Sequence, residues 1–210
     1  MLEDIKKSVL SGILISIGGC VLLASTKAGY MWAGALLFSL GLFAICEYGF
    51  NLYTGKVGYI ANDFRNWRYI LHVLLILAVN LAATFAMGCL VSLCLPDIAE
   101  AARSSYAAKL AAEPQKWALS SVLCGLLMFL AVGLWRRGQK LGVFLCVPTF
   151  IFCGFDHSIA NSFYNGAALG EQTFSGRNVL FVTVVILGNA LGGMIIPLLT
   201  RKWGDTAERR

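Results

Sequence analysis

Long apolar stretches separated by short polar connections form the main pattern along this chain. A helix needs ~20 residues to cross ~30 Å of hydrocarbon, and most of the stretches are near that length. Six can be marked: Val9–Ala24, Tyr30–Tyr48, Tyr69–Leu95, Trp117–Leu134, Leu141–Phe155 and Val179–Leu199. The pattern predicts an all-α membrane protein with six transmembrane helices, in which residues 1–210 form a single transmembrane domain. Because the N-terminal residues lack a small-residue cleavage site and run straight into the first stretch, we expect no cleavable signal peptide.

The second and fifth stretches are interrupted by polar residues and glycines, at about Glu47–Gly55 and Cys153–Asn161. The second interruption contains the segment GFDHSIAN, which places an Asp, a His and an Asn inside an apolar run. Non-helical backbone at membrane depth is tolerated only where protein buries it or where it lines a cavity. Paired interruptions therefore predict two broken helices and a site near the middle of the membrane.

The third and sixth stretches repeat a motif, ILAVNLAAT at Ile76–Thr84 and VILGNALGG at Val185–Gly193. Each places one Asn before small residues. Small residues allow helices to approach closely in lipid, and the Asn can hydrogen-bond the exposed backbone of a broken helix. The pattern indicates two halves of three spans each, about residues 8–95 and 116–200. An odd number of spans per half implies inverted topology.

Composition supports a membrane location, since 58% of the residues are hydrophobic and 13% are charged, about half the charged share of a soluble domain. The mean hydropathy is +0.73. The net charge of +6 could indicate nucleic-acid binding, but the basic residues lie at the ends of the stretches, so the positive-inside rule explains them better and we expect no nucleic-acid partner. With both termini in the cytoplasm, that side receives Lys6, Lys7, Arg65, Arg68, Arg136, Arg137, Lys140, Arg201, Lys202, Arg209 and Arg210.

Catalytic and metal-binding patterns are weak in this sequence. Its seven cysteines contain no CxxC pair, so a disulfide framework, a zinc site or another cofactor is not predicted. An integral-membrane enzyme using His157 and Asp156 as acid and base is the rival hypothesis. The sequence lacks HExxH, GxSxG and a pair of histidines at helical spacing, so an enzyme is not favoured.

The segment GFDHSIAN, Gly154–Asn161, resembles the motif G-F-E-H-S-[IV]-A-N of the formate/nitrite transporter family. The resemblance extends from about Ser11 to Thr200. Supporting matches are FSLGL at Phe38–Leu42, NLYTG at Asn51–Gly55, LAV at Leu130–Val132 and GNALGG at Gly188–Gly193. The resemblance implies a homopentamer in which each protomer has its own pore and an aquaporin-like fold with broken second and fifth helices.

The resemblance also implies roles for individual residues in a pore. His157 matches the central pore histidine, and Thr54 matches the threonine of the loop that breaks the second helix. Ungapped alignment places the vestibule lysine at Lys109, with Lys116 as the alternative. The remaining pore and substrate candidates are Phe38 and Leu42 for one constriction, Phe150 for the constriction near the histidine, Asn189 on the sixth helix, and Asn51 and Asn161 within the motifs.

Three positions depart from the family pattern. Asp156 replaces the usual Glu, Gly125 replaces a usual Asn beside LAV, and Asn51 replaces a frequent acid. The long amphipathic N-terminal helix of the family is also essentially missing, because the first span starts by Val9. The gating attributed to that helix in relatives is therefore not expected to apply to this chain.

These features together predict a channel or transporter for a small monovalent anion, such as formate or nitrite, in the bacterial cytoplasmic membrane. The predicted partners are such anions, protons, the lipid bilayer and further copies of the chain. An imidazole titrates near neutral pH, so His157 suits a proton linked to anion passage. A hydrosulfide channel, a short-chain carboxylate channel and a neutral-solute channel for water or urea remain open alternatives.

Overall fold

The computed structural model describes residues 1–200, and their secondary structure is entirely helical. The predicted basic residues Arg201, Lys202, Arg209 and Arg210 lie outside this range. The α-helices of the described chain are α1 Leu2–Lys27, α2 Met31–Glu47, α3 Trp67–Cys94, α4 Pro96–Ala111, α5 Pro114–Arg136, α6 Leu141–Phe152, α7 Ser158–Ala167 and α8 Gly176–Leu199. Short 3-10 segments lie at Tyr53–Gly55, Val57–Asn62 and Glu171–Phe174.

Four of these helices, α1, α3, α5 and α8, are long and apolar enough to cross a membrane. The apolar helices α2 and α6 are shorter, at 17 and 12 residues. Helix α1 begins at Leu2, ahead of the start expected at Val9, because Glu3 and Asp4 in its first turn suit the positive end of the helix dipole. The basic residues Lys6 and Lys7 therefore lie on the first helix itself.

Helices α2 and α6 end in the same way. Gly49 and Gly154 follow their last turns with φ of 64° and 67°, a left-handed conformation that glycine adopts at little cost. The N–H of the next residue then bonds back into the helix, from Phe50 to the Ile45 carbonyl and from Phe155 to the Phe150 carbonyl, both at 2.9 Å. This is the Schellman arrangement, which turns the chain away from the helix axis. The local sequences EYGF and FCGF carry it.

The two chain segments after these turns differ. After Phe155 the chain re-enters a helix at Ser158, because the His157 side chain accepts a hydrogen bond from the Ala160 N–H in the first turn of α7. After Phe50 the chain continues only as the 3-10 segments at 53–55 and 57–62.

The helices pack in two related groups. Helix α1 packs on α2 and α3, α5 packs on α6 and α8, and the short segments cross between the groups, with α7 against α3 and Val57–Asn62 against α8. Glycines make these crossings close. A methyl group at Gly88 of α3 would meet the Phe163 carbonyl of α7, and one at Gly58 would meet the Gly193 carbonyl of α8. Close backbone approach at small residues is the usual way helices associate in lipid.

Helix α4 connects the groups and is much less apolar than the others. Pro96 at its first position and an alanine-rich sequence favour the helix. At its C-terminal end the Arg177 side chain donates hydrogen bonds to the Leu110 and Ala112 carbonyls. These bonds hold the end of α4, where Lys109 lies, against the start of α8.

Candidate functional site

Two buried asparagines hold the interrupted segments in place. Asn80 on α3 accepts a hydrogen bond from the Tyr53 N–H and donates to the Asn51 and Ser8 carbonyls, at 2.8–3.0 Å. Asn189 on α8 accepts from the Ser158 N–H and donates to the Asp156 and Ser121 carbonyls, each at 2.8 Å. Each amide thus satisfies backbone groups that the helix breaks leave without partners, which would otherwise be costly to bury. Asn189, expected to line a pore, uses its amide for this bracing, and Asn80 makes the matching contacts for the first interrupted segment.

The asparagines bring Thr54 and His157 together. The Thr54 Oγ1 and the His157 Nε2 are 3.0 Å apart, and both residues are buried. The other ring nitrogen, Nδ1, accepts a hydrogen bond from the Ala160 N–H at 3.1 Å. A neutral imidazole carries one hydrogen, so Nδ1 must be the bare nitrogen and Nε2 the donor to Thr54. This leaves the hydrogen of the Thr54 hydroxyl available to a further acceptor.

Aromatic side chains surround the histidine. The Phe150 ring stacks on the imidazole with centroids 5.8 Å apart, and the Phe38 ring meets Phe150 edge-on at 6.1 Å. Phe38 therefore lies with Phe150, although the sequence grouped it with Leu42. Leu42, one helical turn along α2, lines a different cavity. The three side chains are almost fully buried.

A cavity of about 630 Å³ opens on one side of these aromatic rings. His157, Phe150, Asn161 and Lys109 are among the residues that line it. Lys116, the alternative vestibule lysine, is exposed and does not line it. The end of α4 therefore delivers Lys109, and not Lys116, to the vicinity of the histidine.

Asp156 balances the charge of Lys109. The Lys109 ammonium lies 2.6 Å from the Asp156 carboxylate, which also accepts hydrogen bonds from Asn161 at 3.1 Å and from the Ser120 hydroxyl. Asp156 is 4% exposed, so the carboxylate is buried and fully partnered. The Asp side chain, although one methylene shorter than a Glu, is long enough to reach the lysine. Ser120 has no signal in the sequence that marks it, because a Ser in an apolar helix ordinarily bonds only its own backbone.

A second cavity, of about 120 Å³, lies next to the segment that carries Thr54. It is lined by Leu42, Gly55, Lys56, Arg136 and neighbouring residues of α2 and α5. The contact therefore joins His157, which lines the first cavity, to Thr54, which directly precedes two residues that line the second, Gly55 and Lys56. Within residues 1–200 no group of His, Cys, Asp and Glu could hold a metal ion.

Asn51 is not among the residues that line either cavity. Its side-chain amide faces Asp4 on α1 at 3.4 Å, and its backbone N–H bonds the Lys7 carbonyl. The residue therefore ties the first interruption to the start of α1. The structure places it as a brace for the segment that carries Thr54.

Comparisons with known proteins agree with this arrangement. The sequence profile described as "Formate/nitrite transporter" matches residues 2–203. The chain belongs to the formate/nitrite transporter family. The family relation identifies it as a membrane transport protein. No curated protein sequence matches this chain significantly.

Two solved structures share the fold of this transporter. One, described as "FNT family ion channel", aligns with a TM-score of 0.79 at 20% identity and covers 95% of this chain and 89% of its own. The other, described as "Pentameric formate channel with formate bound", aligns with a TM-score of 0.74 at 21% identity and covers 94% of each chain. At this identity the likeness concerns the fold.

Proposed function

We propose that this transporter is a channel for a small monovalent anion of the formate and nitrite class. The path runs from the wide cavity beside Lys109, past His157 and Thr54 between Phe150 and Leu42, to the narrow cavity beside Lys56. The buried contact of 3.0 Å between His157, on the wall of the wide cavity, and Thr54, next to the residues that line the narrow one, is the observation that carries the proposal. Nothing in this arrangement calls for a catalytic role.

In the proposed topology the chain crosses the membrane six times, in two inverted halves. Helix α2 with residues 53–62 forms the second crossing, and α6 with α7 forms the fifth. The matching glycine turns at Gly49 and Gly154 and the matching braces at Asn80 and Asn189 support this division. The positive-inside rule supports cytoplasmic termini in a bacterial inner membrane, and the pentameric state of the similar formate channel supports a homopentamer.

The proposed selectivity combines charge at the entrance with apolar side chains at the constriction. The ammonium of Lys109 offers positive charge in the wide cavity, although its pairing with Asp156 limits the field. An anion that leaves the cavity enters a region lined by Phe150 and Leu42, where an unpaired charge is costly. The Thr54 hydroxyl, backed by the His157 N–H, can donate a hydrogen bond to the anion at that point.

Proton linkage through His157 carries a structural cost. A neutral imidazole is too weak an acid to protonate formate, so a relay requires the imidazolium form. That form puts a second hydrogen on Nδ1, where the Ala160 N–H now donates, and the hydrogen bond of 3.1 Å must break. A relay therefore requires a small movement of the ring or of the first turn of α7.

Flux into liposomes that contain the purified protein tests the proposal. We expect formate or nitrite to enter far faster than into empty liposomes, and a pH dye inside reports any proton that moves with the anion. A panel with hydrosulfide, acetate and lactate separates the related anions. Water or urea flux without anion flux would identify a neutral-solute channel and reject the proposal.

A further inference from the structure

The narrow cavity carries positive charge on its wall. Lys56 and Arg136 line it beside Cys46 and Trp135, and no Asp or Glu is among its lining residues. Its volume of about 120 Å³ has room for an ion of a few heavy atoms. In the proposed orientation this cavity is the cytoplasmic mouth of the pore.

Neither cation has a carboxylate partner among residues 1–200. No ion pair within 4 Å involves Lys56 or Arg136, and the Arg136 guanidinium lies over the Tyr59 ring at 4.5 Å. An aromatic face attracts a cation and leaves its charge in place.

The nearby acids are neutralised by other groups. Asp4 on α1 pairs with the Met1 ammonium at 3.1 Å. Glu47 pairs with Lys140 at 3.0 Å.

In the wide cavity, by contrast, carboxylates neutralise the positive charge of the lining residues. Its two lining cations are both paired, Lys109 with Asp156 at 2.6 Å and Lys27 with Asp97 at 2.8 Å and Glu100 at 3.5 Å. Glu100 itself lines the cavity. The positive field that can attract an anion is therefore stronger at the narrow mouth than at the wide one.

We propose that Lys56 and Arg136 form a binding site for a small oxyanion at the narrow mouth, and that this chain collects its anion mainly there. The inference deepens the proposed function and rests on it for the transported ion. Lys56 follows Thr54 by two residues, its N–H bonds the Tyr53 carbonyl, and its own carbonyl accepts from the Tyr69 hydroxyl, both at 2.9 Å. An anion held by Lys56 thus lies at the base of the segment that presents Thr54.

Sided flux measurements test the site. Formate uptake is measured in sealed membrane vesicles of both orientations, at concentrations below saturation. In the variant with Lys56→Gln and Arg136→Gln, we expect flux from the narrow mouth to fall about tenfold, because focused charge raises association by that order. Flux that starts from the wide cavity should change little. Added inert salt should slow the wild type from the narrow mouth and have little effect on the variant.

The matched control is Arg68→Gln, since Arg68 is an exposed cation near Trp67 that lines neither cavity. We expect it to behave as the wild type from both sides. Equal losses from both sides, or no loss, in the double variant overturn the inference while leaving the proposed channel intact.

A second measurement does not depend on transport. Cys46 lines the same cavity, so an anionic sulfonate thiol reagent should modify it faster than a cationic ammonium reagent, as read by peptide mass spectrometry. Inorganic phosphate should slow the reaction, and the double variant should remove the preference. Equal rates for both reagents in the wild type, or no reaction at Cys46, overturn the site. If the wild type shows no formate flux but Cys46 still reacts faster with the anionic reagent, the proposed function is rejected and the anion site is retained.

Discussion

His157 is defined by its two hydrogen bonds as much as by its position. Nδ1 accepts a hydrogen bond from the Ala160 N–H, so it carries no hydrogen. The ring hydrogen is therefore on Nε2, which donates it to the Thr54 hydroxyl. The Phe150 ring covers one face of the imidazole. A ring held in this way gives its one hydrogen to Thr54, whose hydroxyl is then free to donate to an anion, and the ring can relay a proton only if the bond to Ala160 breaks.

We expect His157→Asn to reduce formate flux by at least about tenfold, the lower range for loss of a positioned donor or acid. The amide keeps a hydrogen-bond donor but cannot titrate, so the remaining flux should not depend on pH between about pH 5 and 8. Flux into liposomes with an internal pH dye measures both quantities. The control is His72→Asn, which changes the other histidine of the chain. Wild-type rates and wild-type internal pH changes in His157→Asn would reject the relay.

We expect Phe150→Ala to raise leak and to admit larger anions, because it removes the ring that lies against both His157 and Phe38. The ratio of lactate to formate flux measures the loss of size selection. Phe152→Ala is the control, since Phe152 is on the same helix and is 55% exposed. An unchanged ratio in Phe150→Ala would mean that this ring only packs and that the pore runs elsewhere.

The positions at which helices α2 and α6 end determine where the interrupted segments lie in the fold. Helices α2 and α6 stop at equivalent Gly-Phe pairs, and α3 and α8 supply the amides that hold the interrupted segments. The left-handed backbone at Gly154 directs the chain from α6 to His157. The segment that carries the imidazole is therefore positioned by one glycine, Gly154, and one asparagine, Asn189.

We expect Gly154→Ala to destabilise the protein by about 1–2 kcal/mol, the cost of a left-handed conformation for a residue with a Cβ. No neighbouring atom lies within 4 Å of the added methyl, so the cost is conformational and not steric. Thermal unfolding in detergent measures it, together with formate flux. Gly176→Ala is the matched control, because that site also has open space and has no positive φ. An equal effect of the two substitutions would contradict the role of Gly154.

The whole molecule has an approximate internal repetition. Helices α1 and α5 both end at a glycine with φ of 82°, Gly29 and Gly138, just as α2 and α6 end at theirs. The repetition is broken by α7, which is a helix of ten residues where the first half has only 3-10 segments. It is also broken by α4, which carries Lys109 and has no counterpart in the first half.

Large apolar side chains remain exposed around the single chain, among them Leu37, Leu40, Leu93, Leu187 and Leu191. Such a surface requires lipid or further copies of the chain to cover it. We expect the protein in mild detergent to have five times the 22.7 kDa mass of one chain, measured by light scattering with detergent subtracted. A monomer or a dimer would contradict the proposed pentamer.

The sequence by itself determined the membrane class, the family and the segments that carry polar groups. The length of an apolar stretch and a polar residue within it can both be read from the linear sequence, because each has a large effect on the free energy of transfer from water to lipid. Only the tertiary structure decided which polar groups meet: Thr54 with His157, Asp156 with Lys109 and Ser120, and Asn51 with Asp4 of α1. These pairings join residues up to 103 positions apart. They depend on how the two groups of helices cross, which is set by close packing at residues such as Gly58 and Gly88 and has no signature in local hydropathy.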